Sequence, residues 1–85
     1  MYKNKAADGE NNICGQRVKK IREQLPEKTS QKKLADMLQM AGLDIDKNAV
    51  QRIESGKRFV TDIELRVIAK VLGVSYQQLL DYEAD

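Results

Sequence analysis

Polar side chains suited to binding a partner are concentrated between residues 46 and 58. Asn48, Gln51, Arg52 and Ser55 would fall on one face of a short helix, and each carries a hydrogen-bond donor. Amide and guanidinium groups on an exposed face can bind the polar groups of a partner molecule. The opposite face is apolar, so the spacing predicts a helix that displays its polar side to a partner.

The ends of this helix are marked by local signals. Asp46 is a good N-cap, because its carboxylate can accept a hydrogen bond from a backbone N–H of the first turn. Ile45 and Val50 flank that cap at the spacing of a hydrophobic staple. Gly56 then favours termination, and two cations follow it where the helix dipole stabilises positive charge. A helix this short needs support from the rest of the chain.

The composition indicates one small globular domain without a catalytic centre. The chain has 85 residues, of which 41% are hydrophobic and 33% are charged, and it has no apolar run long enough to span a membrane. It contains no His and a single cysteine, Cys14, which excludes an internal disulfide, a zinc site and a Ser-His or Cys-His catalytic pair within one chain. We therefore expect a cytoplasmic protein that is not an enzyme and has no cofactor, metal, membrane partner or small-molecule substrate.

Charge is unevenly distributed along the chain. Residues 1–58 contain 13 Lys and Arg against 8 Asp and Glu, a net charge of +5, whereas residues 59–85 contain 2 against 5, a net charge of −3. A basic first part suits a polyanionic partner that binds one face. An ordinary charged surface would also produce this distribution, so the asymmetry only supports the other observations.

Helical periodicity and capping signals predict helices and no strands. The first helix ends before Pro26, and Ser30 caps the second. Capping boxes at Thr61 and Ser75 open the last two helices, and Gly73 separates them. The expected helices span residues 12–25, 31–40, 46–55 and 61–72, with a last helix that opens at Ser75 and buries Leu79 and Leu80.

These elements divide the chain into a flexible arm over residues 1–11 and one helix-turn-helix domain over residues 12–83. The domain carries two short helices joined by a turn that contains Gly42, and the second of them has a polar outer face. Lys3 and Lys5 could let the arm reach a groove of DNA, although a tail without a role is the commoner outcome.

Four motifs follow one another in the sequence. In chain order they are Arg17-Val-Lys-Lys-Ile-Arg22, Ser30-Gln31-x-x-Leu34-Ala35, Val50-x-x-Ile53-Glu54-x-Gly56-Lys57-Arg58 and Glu64-Leu65-x-x-Ile68-Ala69-x-x-Leu72-Gly73-Val74-Ser75-x-x-x-Leu79-Leu80. Together they resemble the lambda-repressor-like helix-turn-helix family, also called the phage-repressor-like or xenobiotic-response-element family. The resemblance covers about residues 13–80 and implies a compact all-α DNA-binding domain of five helices. The link over residues 39–44 is several residues longer than the tight turn of the best-known members.

The resemblance implies roles for individual residues. It implies that bases are contacted by Lys47, Asn48, Gln51 and Arg52. Phosphate contacts fall on Gln31, Ser55, Lys57 and Arg58. A partly buried structural ion pair falls on Arg22 and Glu54. Without the resemblance, Asn48 and Gln51 are also typical of exposed helix positions, and Lys57 and Arg58 of a helix C-terminus.

The leading interpretation is a sequence-specific transcriptional regulator, in particular a repressor, that binds double-stranded DNA. It would insert the helix over residues 46–55 into the major groove and act as a homodimer. Candidate interface residues are Val67, Val71, Tyr76, Leu80 and Tyr82, although core packing explains the two valines equally well. The alternative is an antitoxin-like or adaptor module whose main partner is another protein, with secondary contact to DNA.

Overall fold

Five α-helices follow one another along residues 10–81, the part of the chain that our computed structural model describes. They are α1 (Gly15–Glu23), α2 (Gln31–Met40), α3 (Lys47–Glu54), α4 (Asp62–Leu72) and α5 (Tyr76–Leu80). Because no strand occurs in this part, the predicted all-α architecture of five helices is confirmed. None of these helices is long and apolar enough to cross a membrane.

Some sequence-based expectations fall on residues that the structure does not describe. These expectations concern residues 1–9, which include Lys3 and Lys5 of the expected arm, and residues 82–85, which include Tyr82 and the expected end of the domain. They lie outside the described residues and stay predictions.

Four of the five helices begin where local signals predicted. The side chains of Ser30 and Asp46 accept hydrogen bonds from backbone N–H groups three residues later, at 3.0 and 2.8 Å. Thr61 and Ser75 both form complete capping boxes. At the end of α4, Gly73 takes a left-handed conformation with φ of +71°, which costs glycine little. These caps set the starts of α2 to α5 without help from distant parts of the chain.

The first helix is shorter than its sequence pattern predicted. The periodicity predicts a helix over residues 12–25, but α1 begins at Gly15 and ends at Glu23. At its start, Asn12 stays outside the helix, and its Oδ1 accepts a hydrogen bond from the backbone N–H of Gly15 at 2.7 Å. At its end, the backbone N–H of Leu25 reaches back only to the carbonyl oxygen of Arg22, at 3.3 Å. The chain therefore leaves the helix in a tighter turn ahead of the proline.

The core receives apolar side chains from every helix. The buried ones are Cys14, Val18, Ile21, Leu34, Ala35, Leu38, Ile45, Val50, Ile53, Ile68, Ala69, Leu72 and Leu79. Val67 and Val71 are partly buried and pack against this cluster. Leu80 was expected inside, but 39% of its surface is exposed. Leu79 is buried as expected, but the prediction for Leu80 was wrong, because consecutive residues of a helix point in different directions.

The link between α2 and α3 is long but internally ordered. Gly42 has φ of +96°, a conformation open to glycine. The backbone N–H of Leu43 then bonds the carbonyl oxygen of Leu38 at 2.9 Å, and Gln39 Nε2 donates to the carbonyl oxygen of Ile45 at 2.9 Å. Ile45 is itself only 1% exposed. These contacts fix the direction in which α3 begins.

The third helix packs against both α1 and α2, while α4 packs against α2 and α5. In α1, Gly15 is buried and faces α3. A Cβ atom at this position would overlap the carbonyl oxygen of Ile53 in α3. Glycine is therefore required at this helix contact for lack of space.

Gly15→Ala should destabilise the domain, although alanine normally favours a helix relative to glycine. The new Cβ forces α1 and α3 apart, and overpacking of this kind costs about 1–3 kcal/mol. Urea unfolding of both proteins measures the loss. Gln16→Ala, at the next and exposed position of α1, is the matched control and should change the free energy of unfolding by less than about 0.5 kcal/mol. Equal stability of Gly15→Ala and the wild type would contradict the packing of α1 on α3.

Candidate nucleic-acid interface

The third helix turns four polar side chains to the surface. They are the residues expected to contact bases, Lys47, Asn48, Gln51 and Arg52. None of these side chains makes a hydrogen bond or ion pair with another residue in the range 10–81. On the opposite side, Val50 and Ile53 are each 1% exposed. The helix thus fixes its apolar side in the core and keeps all four polar side chains available to a partner.

The segment after α3, residues 55–58, folds back onto the last turn of the helix. The backbone N–H groups of Lys57 and Arg58 both bond the carbonyl oxygen of Arg52, at 2.9 and 3.2 Å. The hydroxyl of Ser55 donates to the same oxygen at 3.3 Å. Gly56 makes the turn with φ of +79°. This segment therefore carries the exposed side chains of Ser55 and Lys57 directly beyond the polar side of α3.

Arg58, which was expected at a phosphate, is engaged by α4. Its Nη1 and Nη2 donate to the Oε1 and Oε2 of Glu64 at 3.0 and 2.9 Å. Only 14% of the Glu64 side chain is exposed. The same carboxylate accepts the backbone N–H of Thr61 at 3.0 Å and so completes the capping box of α4. The hydrogen bond from Arg58 is the largest of the effects that hold the pKa of Glu64 below its ordinary value.

Arg22 and Glu54 form a buried ion pair between α1 and α3. Arg22 Nε and Nη2 donate to the two carboxylate oxygens of Glu54 at 2.7 and 3.0 Å. Arg22 Nη1 donates to the carbonyl oxygen of Thr29 at 2.9 Å. The two side chains are only 10% and 2% exposed. The hydrogen bonds to Glu54 raise the pKa of Arg22 despite its burial, so the guanidinium stays charged in the core.

Gln31, at the first position of α2, takes part in the same network. Its Nε2 donates to Glu54 Oε1 at 3.0 Å, and the residue is half-buried. An amide nitrogen carries two N–H groups, so the bond to Glu54 leaves one of them for an acceptor outside the protein. The structure therefore gives Gln31 a role in packing, and it leaves the expected phosphate contact as a prediction.

Sequence reasoning missed the hydrogen bonds of Asn11, which it assigned to the flexible arm. The backbone N–H of Asn11 donates to the carbonyl oxygen of Gly56 at 2.8 Å, and its Nδ2 donates to the carbonyl oxygen of Lys57 at 2.9 Å. Asn11 is therefore attached to the segment after α3, while the expected division between arm and domain stays a prediction. An asparagine in a polar stretch carries no signal of a partner 46 positions away.

Fold and site together define a helix-turn-helix domain. The second and third helices pack against each other across an ordered link, and α3 exposes donors along its outer side. A helix has the width of the major groove of DNA, where amide and guanidinium groups can bond base edges. Lys47, Arg52 and Lys57 are exposed cations in α3 and the segment after it, and positive charge favours contact with phosphates. The arrangement is that of a DNA-binding module.

Comparison with known families agrees with this geometry. A family model described as helix-turn-helix matches residues 18–79, which is most of the chain. The protein belongs to this family, the lambda-repressor-like or xenobiotic-response-element family of DNA-binding regulators. No curated protein and no solved structure gave a significant match to the chain. The matched range includes the polar side of α3 and the whole segment that follows it.

Removing one partner of the Arg22–Glu54 pair should destabilise the domain strongly. Glu54→Ala leaves the guanidinium of Arg22 buried without its carboxylate, which costs about 3–5 kcal/mol. The double variant Arg22→Met with Glu54→Leu removes the unpaired charge and should recover much of that loss. Urea denaturation of the three proteins measures the free energies of unfolding. If Glu54→Ala proved as stable as the wild type, the pair would not hold α1 to α3.

The Arg58–Glu64 pair should make stability depend on pH. Because the pKa of Glu64 lies below its ordinary value of 4.5, the ionised carboxylate stabilises the folded state. This contribution is fully present above pH 4.5. It is lost at lower pH, as Glu64 in the folded protein takes up a proton. At pH 7, Glu64→Gln should therefore cost about 1–2 kcal/mol through the lost pair and the weakened cap.

Unfolding measured from neutral pH down to about pH 3 checks this expectation, because the difference from the wild type should shrink on acidification. Glu27→Gln is the matched control, since the Glu27 side chain is 85% exposed in its pair with Lys33. It should have little effect at any pH. A stability difference for Glu64→Gln that stays constant over the whole range would refute the assignment.

Proposed function

We propose that the protein is a sequence-specific regulator of transcription that binds double-stranded DNA by placing α3 in the major groove. One observation carries the proposal: four polar side chains on the outer side of α3 have no partner within residues 10–81, while the inner side is fixed in the core. Membership in a family of DNA-binding regulators supports it. Because the backbone of α3 is already ordered, binding carries no cost for ordering that backbone.

Each of the four side chains suits one kind of base edge. The carboxamide of Asn48 can bond both N6 and N7 of adenine, and Gln51 has the same chemistry on a longer side chain. Lys47 and Arg52 can donate to O6 and N7 of guanine. Asn48 is near the N-terminus of α3, the part of a recognition helix that reaches base edges in many helix-turn-helix proteins. We therefore propose Asn48 as the main specificity residue.

The residues around α3 would bind phosphates and so fix the position of the protein on DNA. Lys57 is the strongest candidate, because it is exposed and its side chain has no partner within residues 10–81. Ser55 can donate its hydroxyl, and Gln31 retains one free N–H. Arg58 also belongs to the proposed set, but its guanidinium is held by Glu64, so we expect a smaller contribution from it than from Lys57.

We propose that two copies bind together on a site with two-fold symmetry. The third helix has eight residues and reaches only a few base pairs, so one copy would read a short sequence. Tyr76 and Leu80, 51% and 39% exposed on α5, are the candidate contact residues. Val67 and Val71 would contribute less, because they pack against the core. A dimer that covers the major groove of its site excludes other proteins from it, and we therefore propose repression.

The second candidate function is an antitoxin-like or adaptor module whose main partner is another protein. Phe59 and Ile63 favour it, since they are 53% and 71% exposed at and just before the start of α4. Large apolar side chains exposed close together in the sequence suit contact with a protein surface. In that case DNA contact through α3 would be secondary.

Selection of duplexes from a random pool by the purified protein separates these functions. We expect a selected duplex to be bound at least about 1000-fold more tightly than bulk DNA. If the selected duplex is bound no more tightly than bulk DNA, the proposal of a sequence-specific regulator is rejected, and the protein-interaction module becomes the favoured function. Because phosphate contacts dominate at low salt, both affinities should be measured over a range of salt concentrations.

Three variants distinguish base-contacting from phosphate-contacting residues in binding to the selected duplex. Asn48→Ala should relax the preference at one position, at a cost of about 1–3 kcal/mol there. Lys57→Ala should weaken binding to all sequences and reduce the salt slope by about one unit. Lys70→Ala, an exposed lysine of α4 outside the proposed contacts, is the matched control and should leave the slope unchanged. A uniform loss with Asn48→Ala would contradict its role in reading sequence.

A further inference from the structure

A single side chain joins α1, α3 and the segment after α3. Asn12 Nδ2 donates to the carbonyl oxygens of Ile53 and Arg58 at 3.1 and 2.7 Å, across 41 and 46 positions of the chain. Its Oδ1 accepts the backbone N–H of Gly15 at 2.7 Å. Both the nitrogen and the oxygen of the Asn12 amide therefore make hydrogen bonds. It links the start of α1 to the last turn of α3 and to the end of the segment that follows α3.

Besides the two asparagines, the segment over residues 55–58 is supported by the Arg58–Glu64 pair and by bonds to the end of α3. Gly56 has no side chain, and the side chain of Lys57 makes no hydrogen bond or ion pair with another residue in the range 10–81. Backbone bonds to Arg52 hold the segment on one side, and Asn11 and Asn12 hold its carbonyl oxygens on the other. The position of Lys57 relative to α3 therefore depends on the two asparagines together with the bonds to Arg52 and the Arg58–Glu64 pair.

The same bonds change the electrostatics at the end of α3. Free carbonyl oxygens at a helix C-terminus carry partial negative charge, which disfavours a nearby phosphate. Asn12 donates to the carbonyl oxygen of Ile53 in the last turn, and Asn11 donates to those of Gly56 and Lys57. Oxygens that accept these bonds repel an anion less. Both the position and the charge of the segment thus favour a phosphate contact by Lys57.

We propose that Asn12 is a positioning residue for the binding of DNA phosphates, a role that rests on the DNA-binding function proposed above. Its amide holds residues 55–58 in the place from which Lys57 meets a phosphate, and Asn12 itself does not touch DNA. The loss of Asn12 should therefore weaken binding to every sequence alike, because phosphate contacts carry no sequence information.

Asn12→Ser is the variant that isolates this role. A serine can still cap α1 through its hydroxyl oxygen, but it is too short to reach the carbonyl oxygens of Ile53 and Arg58, and it leaves the net charge unchanged. Asn11→Ala is the second variant, since it removes only the side-chain bond to Lys57. Ala69→Gly, at a buried position in α4, is the control for a general loss of stability outside the proposed contacts.

Two measurements on the full chain are needed. The first is amide hydrogen exchange without DNA, in which Asn12→Ser should speed exchange at Lys57 and Arg58 relative to Ala69→Gly. The second is binding to the selected duplex and to random-sequence DNA. We expect Asn12→Ser to lose about five-fold in affinity for both and to show a salt slope smaller by about one unit, the effect of one lost phosphate contact near physiological salt. Asn11→Ala should show a smaller change in the same direction.

The outcomes separate this role from the proposed function. If the wild type binds its duplex selectively but Asn12→Ser binds as tightly as Ala69→Gly, the proposed role of Asn12 is rejected. The proposed function as a DNA-binding regulator is then unaffected. Unchanged exchange at Lys57 and Arg58, or a change in sequence preference, would overturn the role as well. If the wild type selects no duplex, the proposed function fails and the DNA role of Asn12 fails with it. Faster exchange would then show only that Asn12 orders residues 55–58.

Discussion

The buried carboxylate of Glu54 is the interaction on which the rest of the structure depends. It accepts two hydrogen bonds from Arg22 on α1 and one from Gln31 on α2, at distances between 2.7 and 3.0 Å. A charge in the core is tolerated only when such partners are in place, so three helices are locked in one arrangement. Since Glu54 is the last residue of α3, these bonds also fix the rotation of that helix about its axis.

That rotation decides which side chains α3 displays. Eight residues do not form a stable helix alone, so the burial of Val50 and Ile53 and the cap at Asp46 must hold it in place. With the inner side fixed, the four polar residues of the outer side lie together at the surface. The segment after α3 is held by Asn12 on one side and, through Arg58, by Glu64 on the other. The backbone that carries the polar surface is therefore held in place before any partner binds.

The sequence predicts this structure well where the cause is local. The starts of α2 to α5 follow from caps such as Asp46, whose hydrogen bond reaches only three residues along the chain. The roles that depend on distant partners could not be read in this way. The bonds of Asn12 span 41 and 46 positions, and nothing in the sequence shows which carboxylate folds beside Arg58. The Arg22–Glu54 pair was expected only because the resemblance to a family supplied the long-range information.

Methylation interference on a selected duplex tests most directly whether α3 reads DNA from the major groove, as proposed. A methyl group on N7 of guanine projects into the major groove, whereas one on N3 of adenine projects into the minor groove. We predict that N7 methylation of guanines inside the site prevents binding, while N3 methylation of adenines elsewhere in the same site leaves it intact. Interference from N3 methylation alone would place recognition in the minor groove and contradict the role of α3.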